Sequence, residues 1–348
     1  MLKGLCIVLL LFAGVWSASS FAGSSARGVQ VVADEAHRRV DITIDGKPFT
    51  SYIWPETLKK PTLYPLVTDD GATVTRGFPL DPKPGERVDH PHQVGLWLNY
   101  GNVNGFDFWN NSDAIKPEDH GKMGTILHSK IVSTKSGADR GELVVDSVWV
   151  AGDGRNLIDE TTRYVFSQHG RTRTIDRIST LKPLEKIVFN DDKEGLLGLR
   201  VARWLESPDE KGGDFMDANG RPTKVAPASA DATGEYLTSE GAKGAAAWAT
   251  RGRWCLLSGH TGEHAATILI VDHPQNPGYP TYWHARGYGL FAANPLGKSI
   301  FDPKLSPFNF TAAKGEPVTF RYRIMISSAP LTPQQANAEA DAFAAAYK

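Results

Sequence analysis

Two histidines separated by a single proline are the first residues in this sequence that could do acid–base chemistry. They lie in the segment Asp89-His90-Pro91-His92. Imidazole exchanges protons near neutral pH, which makes histidine the most frequent general acid or base in enzymes. Proline disfavours helical backbone at the preceding residue, and extended backbone places side chains two positions apart on the same side. The spacing therefore predicts that His90 and His92 face one side of an extended segment.

A second polar cluster lies in the segment from Tyr282 to Ala292. If this segment is a strand, His284, Arg286 and Tyr288 share one face, and small residues alternate with them on the other face. Small residues allow close packing behind the strand, which leaves the polar face toward a concave or solvent-filled surface. A nearby arginine disfavours the imidazolium form, so we expect a neutral His284 ring. The three side chains form a second candidate group for catalysis or ligand binding.

The elements that must position these residues are predicted to be strands almost throughout. Alternating apolar residues from Val40 to Ile44, then Asp45-Gly46 and the segment from Phe49 to Trp54, predict a hairpin. Further strands are predicted at 142–150, 157–166, 172–181, 196–204, 248–258, 265–271, 282–292 and 318–327. The strands at 142–150, 157–166 and 172–181 are joined by tight turns and predict an antiparallel meander. Ten or so strands exceed the usual single open sheet, so the predicted fold class is all-β: a large antiparallel two-sheet β-sandwich.

One α-helix is predicted, near the end of the chain. Thr332, Pro333 and Gln335 combine an N-cap residue, a proline at the first helical position and the glutamine of a capping box, and an alanine-rich stretch follows. The segment from Glu206 to Ser239 is rich in Asp, Gly, Pro and Ala and has weak periodicity. It predicts a long surface excursion, and such loops often border functional sites.

The amino terminus predicts export. Lys3 precedes an apolar run from Leu5 to Trp16, and Ser20-Phe21-Ala22 has the small-x-small form of a signal-peptide cleavage site. This run is shorter than the ~20 residues that a bilayer core requires, so membrane insertion is not expected. We therefore predict a signal peptide over residues 1–22, a single β-sandwich domain over 23–348, and a periplasmic or secreted location. Cys255 is then the one remaining cysteine, and we expect it to be a buried residue with no disulfide partner.

The overall charge excludes two classes of partner. The formal net charge of the 348 residues is −1, with 38 Lys and Arg against 39 Asp and Glu. No basic field is present to attract nucleic acid or anionic lipid. The expected partner is instead a small molecule or an oligosaccharide.

Several motifs resemble those of the PmoA-like family, a family of uncertain function. They are Thr75-Arg76-Gly77-Phe78-Pro79, Asp89-His90-Pro91-His92, Gly95-Leu96-Trp97, Asn104-Gly105-Phe106-Asp107-Phe108-Trp109 and the run from Asn276 to Pro295, and the resemblance covers nearly all of the mature chain. The family name refers to methane oxygenase, but a membrane methane monooxygenase needs several long apolar helices, which this sequence lacks. The strand inventory is also similar to the galactose mutarotase superfamily. That resemblance implies sugar binding on a concave sheet by His, Arg and acidic residues.

The leading hypothesis is an exported carbohydrate-active enzyme that acts on a sugar or glycoside. His90, His92 and His284 are its candidate general acids and bases, and the choice among isomerase, lyase and hydrolase stays open. Trp97 or Trp283 is proposed to stack on a sugar face, although aromatic residues also dominate β-sheet cores. The predicted ligand contacts are Arg76, Trp97, Asp107, Trp283, Arg286 and Tyr288.

Two alternatives remain open at the level of the sequence. One is a glycan-binding protein without catalytic activity that uses the same aromatic and arginine face. The other is a metal site built from His90, His92 and His284 with Asp89 or Asp272, a ligand set suited to zinc, manganese or iron. The spacing of these residues does not identify a metal, and any other cofactor is unknown.

Overall fold

The computed structural model describes residues 27–208, 212–225 and 231–348. The predicted signal peptide falls outside these residues, and the single-domain assignment stays a prediction. The strands and the α-helix are β1 (Val29–Asp34), β2 (Arg39–Ile44), β3 (Lys47–Ile53), β4 (Thr62–Leu63), β5 (Leu96–Tyr100), β6 (Thr125–Lys135), β7 (Arg140–Val150), β8 (Asn156–His169), β9 (Thr172–Pro183), β10 (Ile187–Phe189), β11 (Gly195–Arg200), β12 (Gly213–Met216), β13 (Pro222–Val225), β14 (Glu235–Thr238), β15 (Trp254–Thr261), β16 (His264–Asp272), β17 (Tyr282–Ala285), β18 (Leu290–Asn294), β19 (Phe310–Ala312), β20 (Val318–Ser327) and α1 (Pro333–Ala346). Short 3-10 helices cover Glu35–His37, Pro117–Lys122, Arg203–Leu205 and Gly244–Ala247.

Two large antiparallel sheets form the body of the protein, which confirms the predicted fold class. Sheet 1 has the strand order β1-β2-β3-β4-β5-β11-β18-β17, and sheet 2 has the order β14-β15-β16-β20-β9-β8-β7-β6. The predicted meander is confirmed as β7, β8 and β9, which pair in sequence. The predicted first hairpin is confirmed as β2 and β3, and both turn residues have the positive φ of a tight hairpin turn, 49° at Asp45 and 76° at Gly46.

The main core lies between the two sheets, where alternate residues of each strand point inward. Phe49 of sheet 1 and Phe166 of sheet 2 meet edge to face with ring centroids 6.3 Å apart. Helix α1 covers the opposite face of sheet 2 through three buried residues, Ala336, Ala340 and Phe343. Its predicted capping box is present, since the Thr332 side chain and the Gln335 side chain each accept a hydrogen bond from the backbone N–H of the other residue.

Three central strands of sheet 1 are buried on both faces, and this property locates the candidate site. Every residue of β5, β11 and β18 is buried. In β11, Leu197 and Leu199 point into the main core, so Arg200 points to the outer face. An antiparallel sheet with two buried faces needs a covering layer, and loops supply it here.

Some predicted boundaries were wrong. The segment 282–292 is a hairpin rather than one strand, and the strand predicted from Trp248 begins only at Trp254. The predicted excursion from Glu206 to Ser239 contains the small hairpin β12–β13 and also β14, an edge strand of sheet 2. Cys255 is fully buried and is the one cysteine among the described residues. None of the described helices is both long and apolar enough to cross a membrane.

Candidate functional site

Both polar segments found in the sequence line one pocket on the outer face of sheet 1. The pocket has a volume of about 620 Å³. Its lining residues are His90, His92, Gln93, Asn110, Asp192, Lys193, Glu194, His284, Arg286 and Tyr288. Residues nearly 200 positions apart in the chain thus converge, because β5 and β17 belong to the same sheet and their flanking loops cover it.

The loop that carries the first two histidines is held by two buried arginines. Arg76 donates to the Asp89 carboxylate at 2.7 Å and to the backbone oxygens of His90 at 2.9 Å and Gln93 at 3.0 Å. Arg200, on β11, donates to the same Asp89 oxygen at 2.6 Å and to the Gln93 side-chain oxygen at 2.6 Å. The Arg76 side chain has no exposed surface. Arg76 therefore holds the loop and cannot bind a ligand directly, which corrects its predicted role.

The His90 ring has the geometry of an oriented acid–base group. Its Nδ1 lies 3.2 Å from the Asp89 carboxylate, and 41% of its side chain is exposed. Burial alone would raise the pKa of Asp89, but the hydrogen bond from His90 and the charges of Arg200 and Arg76 outweigh burial and hold that pKa well below its ordinary value. An ionised carboxylate only accepts hydrogen bonds, so Nδ1 carries the proton and Nε2 of the neutral ring is left as an acceptor. The ring also stacks on Tyr288, with centroids 5.0 Å apart and an angle of 4° between the planes.

The backbone of this loop differs from the predicted extended segment. His90 has a φ of 43°, in the left-handed region, and its carbonyl oxygen accepts a turn hydrogen bond from the Gln93 N–H. His90 and His92 still lie close together, with ring centroids 5.6 Å apart. Burial, with the charge of Lys60 as the next cause, lowers the pKa of His92 to about 2. His92 is therefore neutral, and its buried Nε2 has no partner among the described residues.

The second predicted cluster is assembled by a hairpin turn. Strand β17 ends at Ala285, and Arg286 and Tyr288 lie in the turn to β18, where Gly289 has a φ of 96°. The Arg286 N–H donates to the Leu290 oxygen at 2.8 Å and closes the turn. The alternation expected from a strand is therefore wrong beyond Ala285, although the turn still brings Arg286 and Tyr288 to the same pocket as His284.

His284 is a buried and neutral member of the pocket. Burial, followed by the charges of Arg286 and Lys193, lowers the pKa of His284 to about 3. The neutral ring agrees with the expectation from the sequence, but the largest cause of the lowered pKa is burial rather than the neighbouring arginine. Nδ1 lies 3.0 Å from the Lys193 carbonyl oxygen, which can only accept, so Nδ1 carries the proton and Nε2 is the acceptor.

An acidic wall, formed by Asp192 and Glu194, was missed in the sequence. Glu194 lies 3.9 Å from Nδ1 of His284 and pairs with Lys193 at 3.0 Å. Burial raises the pKa of Asp192, and the charge of Glu194 adds to this effect. Gly101 leaves room for the wall, since a Cβ there would lie 2.8 Å from the Glu194 Cβ. The signal was available: a run of charged residues, 191–194, directly precedes the buried strand β11.

Three other predicted ligand contacts lie elsewhere. Trp97 and Trp283 are fully buried, Trp97 beneath Trp109 on the outer face of sheet 1 and Trp283 in the main core. Neither indole can stack on a sugar, which corrects that prediction. Asp107 accepts hydrogen bonds from the backbone N–H groups of Trp109 and Asn110 and from the Asn110 amide. Asp107 thereby positions Asn110, which lines the pocket.

One exposed tryptophan, Trp248, lies beside the pocket residue Arg286. Trp248 is 37% exposed and contacts Phe301 edge to face at 5.9 Å. The Arg286 guanidinium lies 5.6 Å from its ring centroid. Trp248 follows a short 3-10 helix rather than starting the predicted strand.

The predicted metal ligands are not arranged around a common point. Within the described ranges, no group of three or more His, Cys, Asp or Glu side chains could hold a metal ion. Asp272 instead accepts hydrogen bonds from the His273 and Thr281 N–H groups and from the Asn276 amide, which makes it a turn-forming residue. Burial raises the pKa of Asp272 to about 7.

The chain belongs to a family of unknown function, DUF6807, whose model matches residues 39–341. This match does not bear out the PmoA-like name suggested by the motifs. No curated protein matches the sequence.

Several solved structures resemble this chain at low sequence identity. A galactose mutarotase-like protein from Clostridium acetobutylicum is 10% identical, with a TM-score of 0.37 and coverage of 86% of this chain and 98% of that chain. A putative aldose 1-epimerase from Escherichia coli K12 is 9% identical, with a TM-score of 0.33 and the same coverage. The galactosidase domain of an α-galactosidase–sucrose kinase is 9% identical, with a TM-score of 0.39; 86% of this chain is covered, but only 42% of that one. At such values, function has to be inferred from the residues of this chain.

Proposed function

We propose that this protein is an exported carbohydrate-active enzyme that performs histidine-based acid–base chemistry on a sugar or glycoside. The observation that carries the proposal is the convergence of two separate segments on one pocket, whose lining includes His90, His284 and the carboxylates of Asp192 and Glu194. A pocket of about 620 Å³ lies within the range of small-molecule sites. Exported location rests on the amino-terminal sequence and is part of the proposal.

His90 is the proposed principal proton carrier. The Asp89 carboxylate holds its Nδ1–H, so Nε2 can remove a proton from a sugar hydroxyl and return it later in the reaction. Stacking on Tyr288 fixes the plane of the ring. These are the properties that a general acid–base residue requires.

The same pocket offers a second proton-transfer group. His284 stays neutral and can accept a hydrogen bond at Nε2, and Glu194 lies beside it. Reactions at the anomeric centre of a sugar need one group to take a proton and another to give one. His90 on its loop, together with His284 on β17 and Glu194 before β11, supplies these two groups.

Trp248 is the proposed contact for the apolar face of the sugar. Its indole is exposed beside Arg286, whereas the residues that line the pocket are mainly polar. Polar groups orient a ligand in a pocket, and an aromatic ring contributes buried apolar area.

The test is a ligand screen followed by a matched pair of variants. Saturation-transfer NMR with common hexoses, hexuronates and their methyl glycosides identifies ligands, and proton NMR of the anomeric signals detects turnover. His90→Gln is expected to reduce turnover by about 100-fold or more. His37→Gln is the control, because His37 forms a similar pair with Asp34 at 2.7 Å on the surface.

Each outcome of this test is decisive. Equal loss of turnover in His37→Gln and His90→Gln would contradict the assignment of His90. Binding without turnover of any ligand would favour the glycan-binding protein over the enzyme. Failure of every sugar to bind would overturn the proposed function.

A further inference from the structure

Arg286 is a pocket cation whose guanidinium is left available. The guanidinium makes no hydrogen bond or ion pair with any residue in the described ranges, whereas the other pocket cation, Lys193, is paired with Glu194 at 3.0 Å. The Arg286 guanidinium lies over two aromatic rings, 5.6 Å from the centroid of Trp248 and 5.7 Å from that of Tyr288. Stacking holds the plane of the group and leaves its N–H edge free to donate.

Two buried arginines behind the pocket lining add positive charge near Arg286. Two buried guanidinium groups, those of Arg76 and Arg200, share the single carboxylate of Asp89. Arg200 lies 4.9 Å from the Tyr288 ring centroid, directly behind a residue that lines the pocket. The next carboxylate, Glu206, is itself bonded by other arginines. This side of the pocket therefore presents a positive potential to a ligand.

The acidic wall limits which anion can enter. Asp192 and Glu194 also line the pocket and would repel a dianion such as a phosphate ester more strongly than a monoanion. One free guanidinium also matches a single planar carboxylate, because its N–H groups can form two parallel hydrogen bonds to the two oxygens. The positive charge at Arg286 and the negative charges of Asp192 and Glu194 together favour a ligand with one carboxylate and several hydroxyls.

We propose that the ligand of this pocket is a sugar acid, a hexuronate or its glycoside, and that Arg286 binds its carboxylate. The inference rests on the proposed function and narrows its substrate class. In this arrangement, the carboxylate lies at the Arg286 side, and the sugar hydroxyls reach the acidic wall and the histidines.

The test compares acid and neutral forms of the same sugar. Methyl glucuronide and methyl glucoside, and the corresponding galactose pair, are titrated by NMR or calorimetry. The wild-type protein should bind the acid about 10 to 100 times more tightly, the range of a charge-assisted hydrogen-bonded pair. The preference should decrease as salt increases.

Variants assign the preference to one side chain. Arg286→Gln should remove the preference for the acid, and Arg286→Lys should retain part of it, because lysine keeps the charge but loses the planar fork. Arg251→Gln is the control: its guanidinium also lies over an aromatic ring, that of Tyr282 at 5.1 Å, but it is bonded to backbone oxygens and does not line the pocket. Thermal unfolding of each variant verifies that it folds, and Arg286→Lys serves if Arg286→Gln does not.

Failure of this inference and failure of the proposed function give different results. Equal binding of acid and neutral sugars, in wild type and Arg286→Gln alike, would overturn the sugar-acid assignment and leave the enzyme proposal standing. Tighter binding of glucose 6-sulfate than of glucuronate would overturn the choice of a carboxylate. Absence of binding by either form of every sugar would overturn both.

Discussion

Replacing Asp89 by asparagine removes the one negative charge between Arg76 and Arg200, and the consequences can be worked out from the contacts. The carboxylate accepts hydrogen bonds at 2.7 Å from Arg76 and 2.6 Å from Arg200, and both guanidinium groups are fully buried. Asparagine keeps the shape and one acceptor oxygen but leaves two buried cations without a counter-charge. It also exchanges the acceptor next to His90 Nδ1 for a possible donor.

The expected loss of stability is large for a single isosteric change. Removing one partner of a buried ion pair costs about 3 to 5 kcal/mol. Because 31% of the Asp89 side chain is exposed, the lower end is expected, about 3 kcal/mol. With an m-value of about 3 kcal/mol/M, this loss moves the urea midpoint down by about 1 M.

The effect of Asp89→Asn should depend on pH in a defined direction. The folded pKa of Asp89 is depressed, so its ionised carboxylate stabilises the protein at every pH above the unfolded value of about 4. That contribution is lost as the pH falls below about 4 toward the folded pKa. The difference in stability between wild type and Asp89→Asn should therefore be constant from about pH 5 to 8 and shrink below about pH 4.

Urea unfolding followed by tryptophan fluorescence measures these quantities. A double-mutant cycle with Arg200→Met isolates the interaction, and the cost of Asp89→Asn should be smaller by about 0.5 to 3 kcal/mol in that background, since one buried cation is gone. Asp176→Asn, which removes the partner of Arg323 in sheet 2, should destabilise the protein without altering ligand binding. A loss below about 1 kcal/mol for Asp89→Asn, or a loss that grows as the pH falls, would refute the reasoning.

Three further expectations follow from the same contacts. His284→Asn can keep a hydrogen bond to the Lys193 oxygen while removing Nε2. Turnover or affinity should therefore fall about 100-fold with a small change in melting temperature. Retained activity would make His284 a structural residue. Trp248→Ala should weaken sugar binding and leave the fold intact. Trp97→Ala should instead lower the free energy of unfolding by about 3 to 5 kcal/mol, because that indole is fully buried. The reverse result would make Trp97 the ligand contact. The exported form should begin at Gly23 and contain no disulfide, and an intact mass that retains residues 1–22 would contradict the signal peptide.

The predictable part of the fold is the part governed by local pattern. Alternating residues and short turns located the hairpin β2–β3 and the meander β7–β9, and three residues located the start of α1. The hairpin β17–β18 was missed because its turn residues include Tyr288, which has strand propensity, and because Gly287 and Gly289 were assigned to a strand face. A turn that keeps pocket residues together cannot be distinguished from a strand by composition alone.

Which residues belong to the candidate site could be predicted from the sequence better than the role of each residue. His90, His92, His284, Arg286 and Tyr288 all line the pocket. Arg76 and Asp107 have the right residue types, but they bond to backbone groups of the loops that form the pocket. Sequence reveals that a polar residue is unusual at its position, but only packing decides whether it meets a ligand or supports the residue that does.

The burial pattern of sheet 1 explains why the site lies where it does. An antiparallel strand whose residues do not alternate between apolar and polar, such as Leu196 to Arg200, has both faces buried, so another part of the chain must cover its outer face. The covering loops begin and end at these strands, and their backbone groups need hydrogen-bond partners away from water. Arg76 donates to backbone oxygens of the covering loop, and Arg200 donates to the Gln93 and Asp89 side chains. Both arginines carry positive charge into the cover, and the Asp89 carboxylate neutralises part of it. The His90 ring is oriented as a consequence, because its Nδ1 reaches the same carboxylate. A fully buried arginine at the end of a non-alternating strand is therefore a sequence feature that can direct attention to a covered polar site.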